Sequence, residues 1–189
     1  MKGISILLKL IAIISISFFL SCGNSESNKN VGIAVGNDFP ALKLTSNNHS
    51  VISLESLRGS VVLVDFWASW CAPCRKENKH LVQYHNRYKD VEFENGKGFK
   101  IFSVSLDGGG NPKRKSHHEK LWNTAIKQDQ LTWPYHVSDL KGWTSPLVDQ
   151  FNIEGIPMSF LIDGNGKILA KNLRGEELEK FLISLIKKK

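Results

Sequence analysis

Apolar and polar positions along this chain fall into runs whose period predicts the elements. VVLVDFWA at 61–68 is a continuous apolar run rich in β-branched residues. Such a run suits a central strand covered on both faces. From 72 to about 89 the period changes. Leu81, Val82, Tyr84, His85 and Tyr88 recur at three- and four-residue spacings, which predicts a helix. FKIFSVSLD at 99–107 reads as a second core strand, and GGGNPK at 108–113 as a loop in which Pro112 gives the next element an extended start. KSHHEKLWNTAIKQDQ at 115–130 is helical, with Leu121, Trp122, Ala125 and Ile126 on one face. WPYHVSD at 133–139 is a short strand. SPLVDQFN at 145–152 is a short helix with Ser145 as its N-cap and Pro146 at its first position.

IPMSFLID and KILAKN, joined by GNG, form a strand–turn–strand hairpin over 156–172. GEELEKFLISLIKKK closes the chain as an amphipathic helix. Leu178, Phe181, Leu182, Leu185 and Ile186 make its stripe, with acids in the first turn and lysines in the last to suit the helix dipole. Upstream, ALKLT and HSVISL are two short strands around SNN, a hairpin near the start of the folded region, and SLRG turns the chain into the next strand. No internal repeat is present. The order ββ, βαβ, αβ, α, ββα fits an α/β fold in one domain, a mixed sheet with helices on both faces.

The first 21 residues have the layout of a secretory signal: a short basic start containing Lys2, the apolar run LIAIISISFFL, and a small residue, Ser21, before Cys22. The segment resembles bacterial lipoprotein signals, with Phe19 standing where Leu is most common. That resemblance implies cleavage before Cys22 and lipidation of Cys22 as the new N-terminus. An uncleaved anchor, or ordinary cleavage that leaves Cys22 a free thiol, are the alternatives. The apolar run is short against the roughly 20 residues that span a bilayer. Residues 22–35 are polar and read as a flexible tether, with the folded domain at 36–189.

Composition narrows the classes. The 189 residues are 41% apolar and 10% aromatic, enough for a packed core. The formal net charge is +7, but no basic block interleaves with aromatics. The charge therefore reads as a solvated surface suited to an anionic membrane, and no nucleic-acid partner is expected.

Three cysteines are present. With Cys22 assigned to lipid, Cys71 and Cys74 remain as one pair in a chain read as exported, where disulfides form. A staple across so short a loop constrains the unfolded chain little. A core strand ends at Trp67, ASW connects, and a helix starts at or just after Cys71. Free backbone N–H groups and the positive end of the helix dipole lower a thiol's pKa there. Cys74 follows on the same helix face, and Pro73 stiffens the first turn. The pair reads as a cycling dithiol with Cys71 as nucleophile and Cys74 as resolving thiol. Zinc needs two further ligands at suitable spacing. No second C-x-x-C exists, and the six histidines repeat no finger-like spacing. Copper held with a distant His136, or an inert buried pair, are the remaining readings. No metal is expected, and the cofactor role falls to the Cys71–Cys74 pair itself.

The stretch DFWASWCAPC resembles the active-site segment of thioredoxin-fold proteins. Together with the signal, the N-terminal hairpin and GIPMSFLIDGNGKI, it resembles the TlpA/ResA-type membrane-tethered thiol–disulfide oxidoreductases of bacteria, from about Gly36 onward. The resemblance implies a thioredoxin-like α/β fold with an added N-terminal β-hairpin and an inserted αβ unit. It implies a cis Pro157 facing the disulfide, with Ile156 offering its backbone to the substrate chain. Asp65, expected to be buried with a raised pKa, matches an aspartate that takes the resolving thiol's proton. Glu77 matches a glutamate that some tethered members use near the thiols.

Trp70 is read as a contact surface beside the disulfide, and Trp67 as core. Three positions depart from the family pattern: Met158 after the proline, Lys79 where a helix-kinking proline is common, and Ser103 where thioredoxin's lysine partner of the aspartate is expected. The implied activity is reduction of disulfides in extracytoplasmic proteins, apocytochrome c included. The implied partners are protein thiols, a membrane or periplasmic electron donor, and a membrane held through the lipid. Peroxiredoxins carry Thr and Pro shortly before their reactive cysteine. Here Val64 and Ala68 occupy the places seven and three residues before Cys71, which counts against a thiol peroxidase. A non-enzymatic partner- or metal-binding lipoprotein with a static disulfide is the remaining alternative.

Overall fold

A computed structural model describes residues 30–109 and 111–188. The signal segment 1–21, Cys22 with the tether up to residue 29, and Lys189 lie outside the described residues. Residues 30–35, expected as the end of a tether, are drawn onto the domain. The Asp38 N–H donates to the Asn30 carbonyl at 3.1 Å, and the Gly36 N–H to the Ile168 carbonyl at 2.8 Å. Phe39 then anchors the segment, its ring stacked on Phe151 at 5.1 Å.

The hairpin read from ALKLT and HSVISL is β1 (Lys43–Thr45) paired antiparallel with β2 (Val51–Ser53). A 3-10 turn, Leu54–Leu57, capped by the Ser53 side chain, leads into β3 (Val61–Trp67), buried along its whole length. α1 (Ala72–Tyr88) follows as one uninterrupted helix, with Lys79 exposed. Two strands not foreseen, β4 (Glu92–Phe93) and β5 (Gly96–Lys97), make a small hairpin before β6 (Phe99–Ser105). After α2 (Lys115–Gln128), β7 (His136–Val137) and α3 (Pro146–Gln150), the chain forms β8 (Met158–Ile162), β9 (Ile168–Lys171) and α4 (Gly175–Ser184).

The central sheet runs β7-β6-β3-β8-β9. β3 is parallel to β6 and antiparallel to β8, and β7 is parallel to β6. This mixed sheet is the expected thioredoxin-like fold, with α2 and β7 as the inserted αβ unit. Side chains alternate across β3. Val61, Leu63 and Trp67 enter one core with buried residues of α1, α2 and α4. Val62, Val64 and Phe66 enter the other, against α3 and the N-terminal segment.

Three expectations are corrected. Residues 112–114 form a 3-10 turn that runs into α2 rather than an extended start. Leu121 is exposed, because the buried face of α2 is set by Trp122, Ala125 and Ile126. α4 stops at Ser184, so no lysine lies in its last turn. The following residues instead extend the β4–β5 hairpin: the Glu94 N–H donates to the Leu185 carbonyl, and the Lys187 N–H to the Glu92 carbonyl. Ile186 bridges to Phe93 there and packs half-buried on the first core, where one more helical turn would add charged residues.

Candidate active site

β3 ends at Trp67, and the Ala68–Trp70 connection carries the chain to Cys71, the N-cap of α1. The Cys71 Sγ accepts the Cys74 N–H at 3.2 Å. A sulfur in this position replaces the usual capping oxygen and faces the positive end of α1. Cys71 and Cys74 are joined by a disulfide. Both are nearly enclosed, at 4% and 2% exposure, against the first core. The Ile156–Pro157 bond is cis. The Ile156 carbonyl oxygen lies 3.7 Å from the Cys71 Sγ. Among the described residues, the backbone N–H of Ile156 has no backbone partner.

The connection before Cys71 is fixed from below. Asp107, fully buried at the end of β6, accepts the Ser69 N–H at 2.8 Å, the Ser69 hydroxyl at 2.5 Å and the Ser105 hydroxyl at 2.7 Å. Arg75 on α1 donates to the Ser69 carbonyl at 3.1 Å and forms a bidentate ion pair with Asp129, just past α2. Asn78 donates to the same carboxylate at 2.7 Å. This hydrogen-bonded pair holds the Arg75 guanidinium's pKa above its ordinary value and ties the inserted unit to the helix that carries the thiols.

Asp65 is buried and shares its face of β3 with Leu63 and Trp67, the face that meets the disulfide's core. Burial, then repulsion from Glu77, raises its pKa to about 7, against the attraction of Arg174. The register places Ser159 on one side of Asp65 and Ser103 on the other, with His136 beyond Ser103. All four are buried. A polar row therefore crosses the sheet beneath the site. Ser103 accepts the Trp133 indole N–H at 3.0 Å. His136 stacks on Trp133 and is pushed down to about 4, chiefly by burial, so its ring is neutral near pH 7.

Glu77 is half-buried and reaches α4. Its Oε1 accepts the Gly175 N–H at 2.8 Å, and its Oε2 lies 3.4 Å from His80 Nδ1. The α4 N-cap, Arg174, makes no side-chain capping bond, so Glu77 supplies that cap from another helix. The Arg174 guanidinium donates to the Pro157 carbonyl. Trp67 is core, with no exposure. Trp70 is 53% exposed, and its ring lies 6.4 Å from that of Trp143, itself 47% exposed. Met158 is buried in the second core.

Cys71, Cys74, Ile156 and Pro157 thus meet at one point, Asp65 underlies it, Glu77 and Trp70 flank it, and Cys22 lies outside the described residues. Arg174, Trp143 and Asp107 escaped the sequence reading. Asp107 had a usable signal, a carboxylate at the end of a core strand. The other two depend on loop positions with no local signature.

The AhpC/TSA family model matches residues 35–171. The thiol-disulfide oxidoreductase ResA of Oceanobacillus iheyensis is 30% identical over 167 residues, 87% of this chain and 76% of that protein. The ResA of Bacillus cereus is 27% identical over 154 residues, 82% and 78% of the two chains. The thioredoxin domain of a thiol-disulfide oxidoreductase from Bacteroides vulgatus superposes with a TM-score of 0.67 at 31% identity, covering 82% of this chain and 100% of that one. A thiol-disulfide oxidoreductase from Bacteroides fragilis gives 0.65 at 32% identity, covering 79% and 100%.

Proposed function

The chain belongs to the AhpC/TSA family and is a thiol-disulfide oxidoreductase of thioredoxin-like fold, and from that premise we propose that it reduces disulfides of extracytoplasmic proteins, apocytochrome c included, while held to a membrane by lipid on Cys22. The observation that carries this reading is the Cys71–Cys74 disulfide at the start of α1, with the free backbone edge of Ile156 3.7 Å from the Cys71 Sγ.

In the proposed cycle the Cys71 thiolate attacks one sulfur of a substrate disulfide. A Cys71–substrate disulfide forms and the other substrate sulfur leaves as a thiolate. Cys74 passes its proton to Asp65, directly or through water, and attacks the Cys71 sulfur. The second substrate thiolate departs and the Cys71–Cys74 disulfide closes. Two electrons move from the dithiol to the substrate. Asp65 passes the Cys74 proton on to one departing substrate thiolate, and the other takes its proton from solvent, since Cys71 reacts as the thiolate. A membrane or periplasmic dithiol donor restores the reduced pair by the reverse exchange. A carboxyl that titrates near 7 is matched to accept and return a proton at neutral pH.

Thiol peroxidase chemistry needs hydrogen-bond donors that polarise the peroxide beside the reactive sulfur. Val64 and Ala68 carry none and are buried without exposure. The test of the proposal is reduction of a disulfide-bonded protein with dithiothreitol as donor. Cys71→Ala is expected to abolish turnover, and wild-type turnover in that variant overturns the mechanism. Cys22→Ala is expected to move the protein from the membrane to the soluble fraction of the cell envelope. Unchanged membrane retention overturns the anchor.

A further inference from the structure

A cavity of about 330 Å³ opens beside Pro157. Asn152, Glu154, Pro157, Met158, Lys171 and Arg174 line it. Its two cations face one carboxylate. Among the described residues neither Lys171 nor Arg174 forms an ion pair. Arg174 spends one nitrogen on the Pro157 carbonyl, and Lys171 lies with its ammonium 5.2 Å above the Phe160 ring. Each therefore has one contact that holds it near the cavity; Lys171 is half-buried and Arg174 is exposed.

The nearby carboxylates pull against this in part. Glu154 is on the exposed rim, Glu77 is engaged by the Gly175 N–H, and Asp65 is buried beneath the site and feels the Arg174 charge. The cavity mouth itself keeps an excess of positive charge, on a chain whose formal net charge is +7.

We infer that this cavity is a substrate subsite that receives an acidic side chain next to the reacting cysteine of the polypeptide. The inference rests on the proposed reading of the site, in which a substrate strand lies along Ile156 with its sulfur on Cys71. Each residue of an extended strand advances about 3.3 Å, and the cavity wall begins at Pro157, the very next residue. A carboxylate one to three residues from the substrate cysteine reaches the Lys171 ammonium and the spare N–H groups of Arg174. Lys171 is then a specificity-determining residue. A partly exposed ion pair contributes up to about 1 kcal/mol, which corresponds to a preference of about three- to fivefold at low salt.

The test uses the reduced full chain and synthetic decapeptides whose one cysteine carries a pyridyl disulfide. The peptides differ only in having Glu, Ala or Lys at the two positions on either side of that cysteine. Release of thiopyridone gives kcat/KM. The expected order is Glu, then Ala, then Lys, with the Glu-to-Ala ratio falling towards one at high salt and in Lys171→Gln, and inverting in Lys171→Glu. The ratio is taken within each protein, so a general loss of folding or rate in a variant does not enter it. A ratio of one in the wild type, or a ratio unchanged by either substitution, overturns the subsite. Wild-type reaction with the alanine peptide, and its loss in Cys71→Ala, reports separately on the proposed function. Failure of that reaction sinks the reading itself rather than the subsite alone.

Discussion

The Ile156 carbonyl oxygen lies 3.7 Å from the Cys71 Sγ, although 85 positions separate the two residues. The contact joins the two ends of the site: a helix N-terminus that favours a thiolate and a backbone edge that can hold an extended chain. In the proposed cycle a chain paired at Ile156 brings its own sulfur to Cys71 and not to Cys74. Cys74→Ser is therefore expected to leave the first exchange intact and to stop the second. Denaturing, non-reducing electrophoresis of the variant mixed with oxidised substrate should show a stable mixed disulfide that maps to Cys71. Its absence, with wild-type turnover retained, would assign the resolving role elsewhere.

Asp65, the proton acceptor of the proposed cycle, also bears on stability. Its pKa rises from 3.8 to about 7 on folding, so the folded chain holds a proton that the unfolded chain has already lost. Unfolding then releases a proton between those values, and stability falls as pH rises through that window. Below about pH 4 both states are protonated and the effect vanishes. Above about pH 7 it is complete, at up to roughly 4 kcal/mol for a shift of about three units. Asp65→Asn removes the penalty. Urea denaturation of the oxidised proteins should find the variant more stable by about 2–4 kcal/mol near pH 8 and equal to the wild type near pH 4. A difference independent of pH would show that ionisation of Asp65 is not its source. The same variant should slow resolution by Cys74 and accumulate the mixed disulfide.

The sequence carried the frame of this molecule further than its site. Strong local patterns, such as the apolar run of β3 and the helical spacing of α1, specify their elements almost alone. The C-x-x-C pair is legible for the same reason, since its chemistry sits within four residues, and the role of Pro157 is legible only through the family resemblance of its segment. Glu77 was legible as a residue of interest, but its cap on α4 was not. Its partner Gly175 lies 98 positions away, and the meeting depends on where α4 begins after the β8–β9 hairpin, whose register shifts at Leu161/Ile162. The contact of Arg174 with Pro157 hangs on the same register. The end of α4 was misread because helix periodicity and a terminal run of lysines favour continuation locally. The pairing of residues 185–187 with β4 is a tertiary contact that no local pattern announces.

Glu77 has two separable duties, a cap on α4 and a charge near Asp65. Glu77→Ala loses both, and removing a side-chain N-terminal cap costs about 1–2 kcal/mol. Glu77→Gln keeps an amide oxygen for the Gly175 N–H and loses only the charge, at a cost of roughly 0.3–1 kcal/mol through the helix dipole. Since Glu77 raises the pKa of Asp65, both variants should lower the Asp65 midpoint. Carbon-detected titration of the Asp65 carboxyl checks this. Equal destabilisation by the two substitutions would remove the cap from the account, and an unmoved midpoint would remove the electrostatic link.

Trp70, next to Cys71 in the chain, and Trp143 make an exposed aromatic surface, with ring centroids 6.4 Å apart. Two indoles left this open to water are costly unless a partner covers them. The loop that presents Trp143 is packed against neighbouring backbone. Gly142 has φ +56°, and a Cβ added there would lie 2.6 Å from the Gly108 carbonyl oxygen, so the loop lies backbone-to-backbone against the chain that leaves β6. Gly108 bridges to Lys141 in the same contact. A surface held in place by backbone is already ordered before a substrate arrives and spares the entropy of arranging it. Trp143→Ala should therefore raise KM for a folded protein disulfide by about two- to tenfold, the equivalent of roughly 0.5–1.5 kcal/mol for one aromatic contact. It should leave kcat near wild type, because the ring lies outside the thiol exchange. A small disulfide such as hydroxyethyl disulfide does not reach the indoles and should react with both proteins at the same rate. Loss of rate with that small substrate would mean that Trp143 acts through the site's structure rather than on the bound chain. An unchanged KM for the protein substrate would mean that the aromatic surface serves another partner.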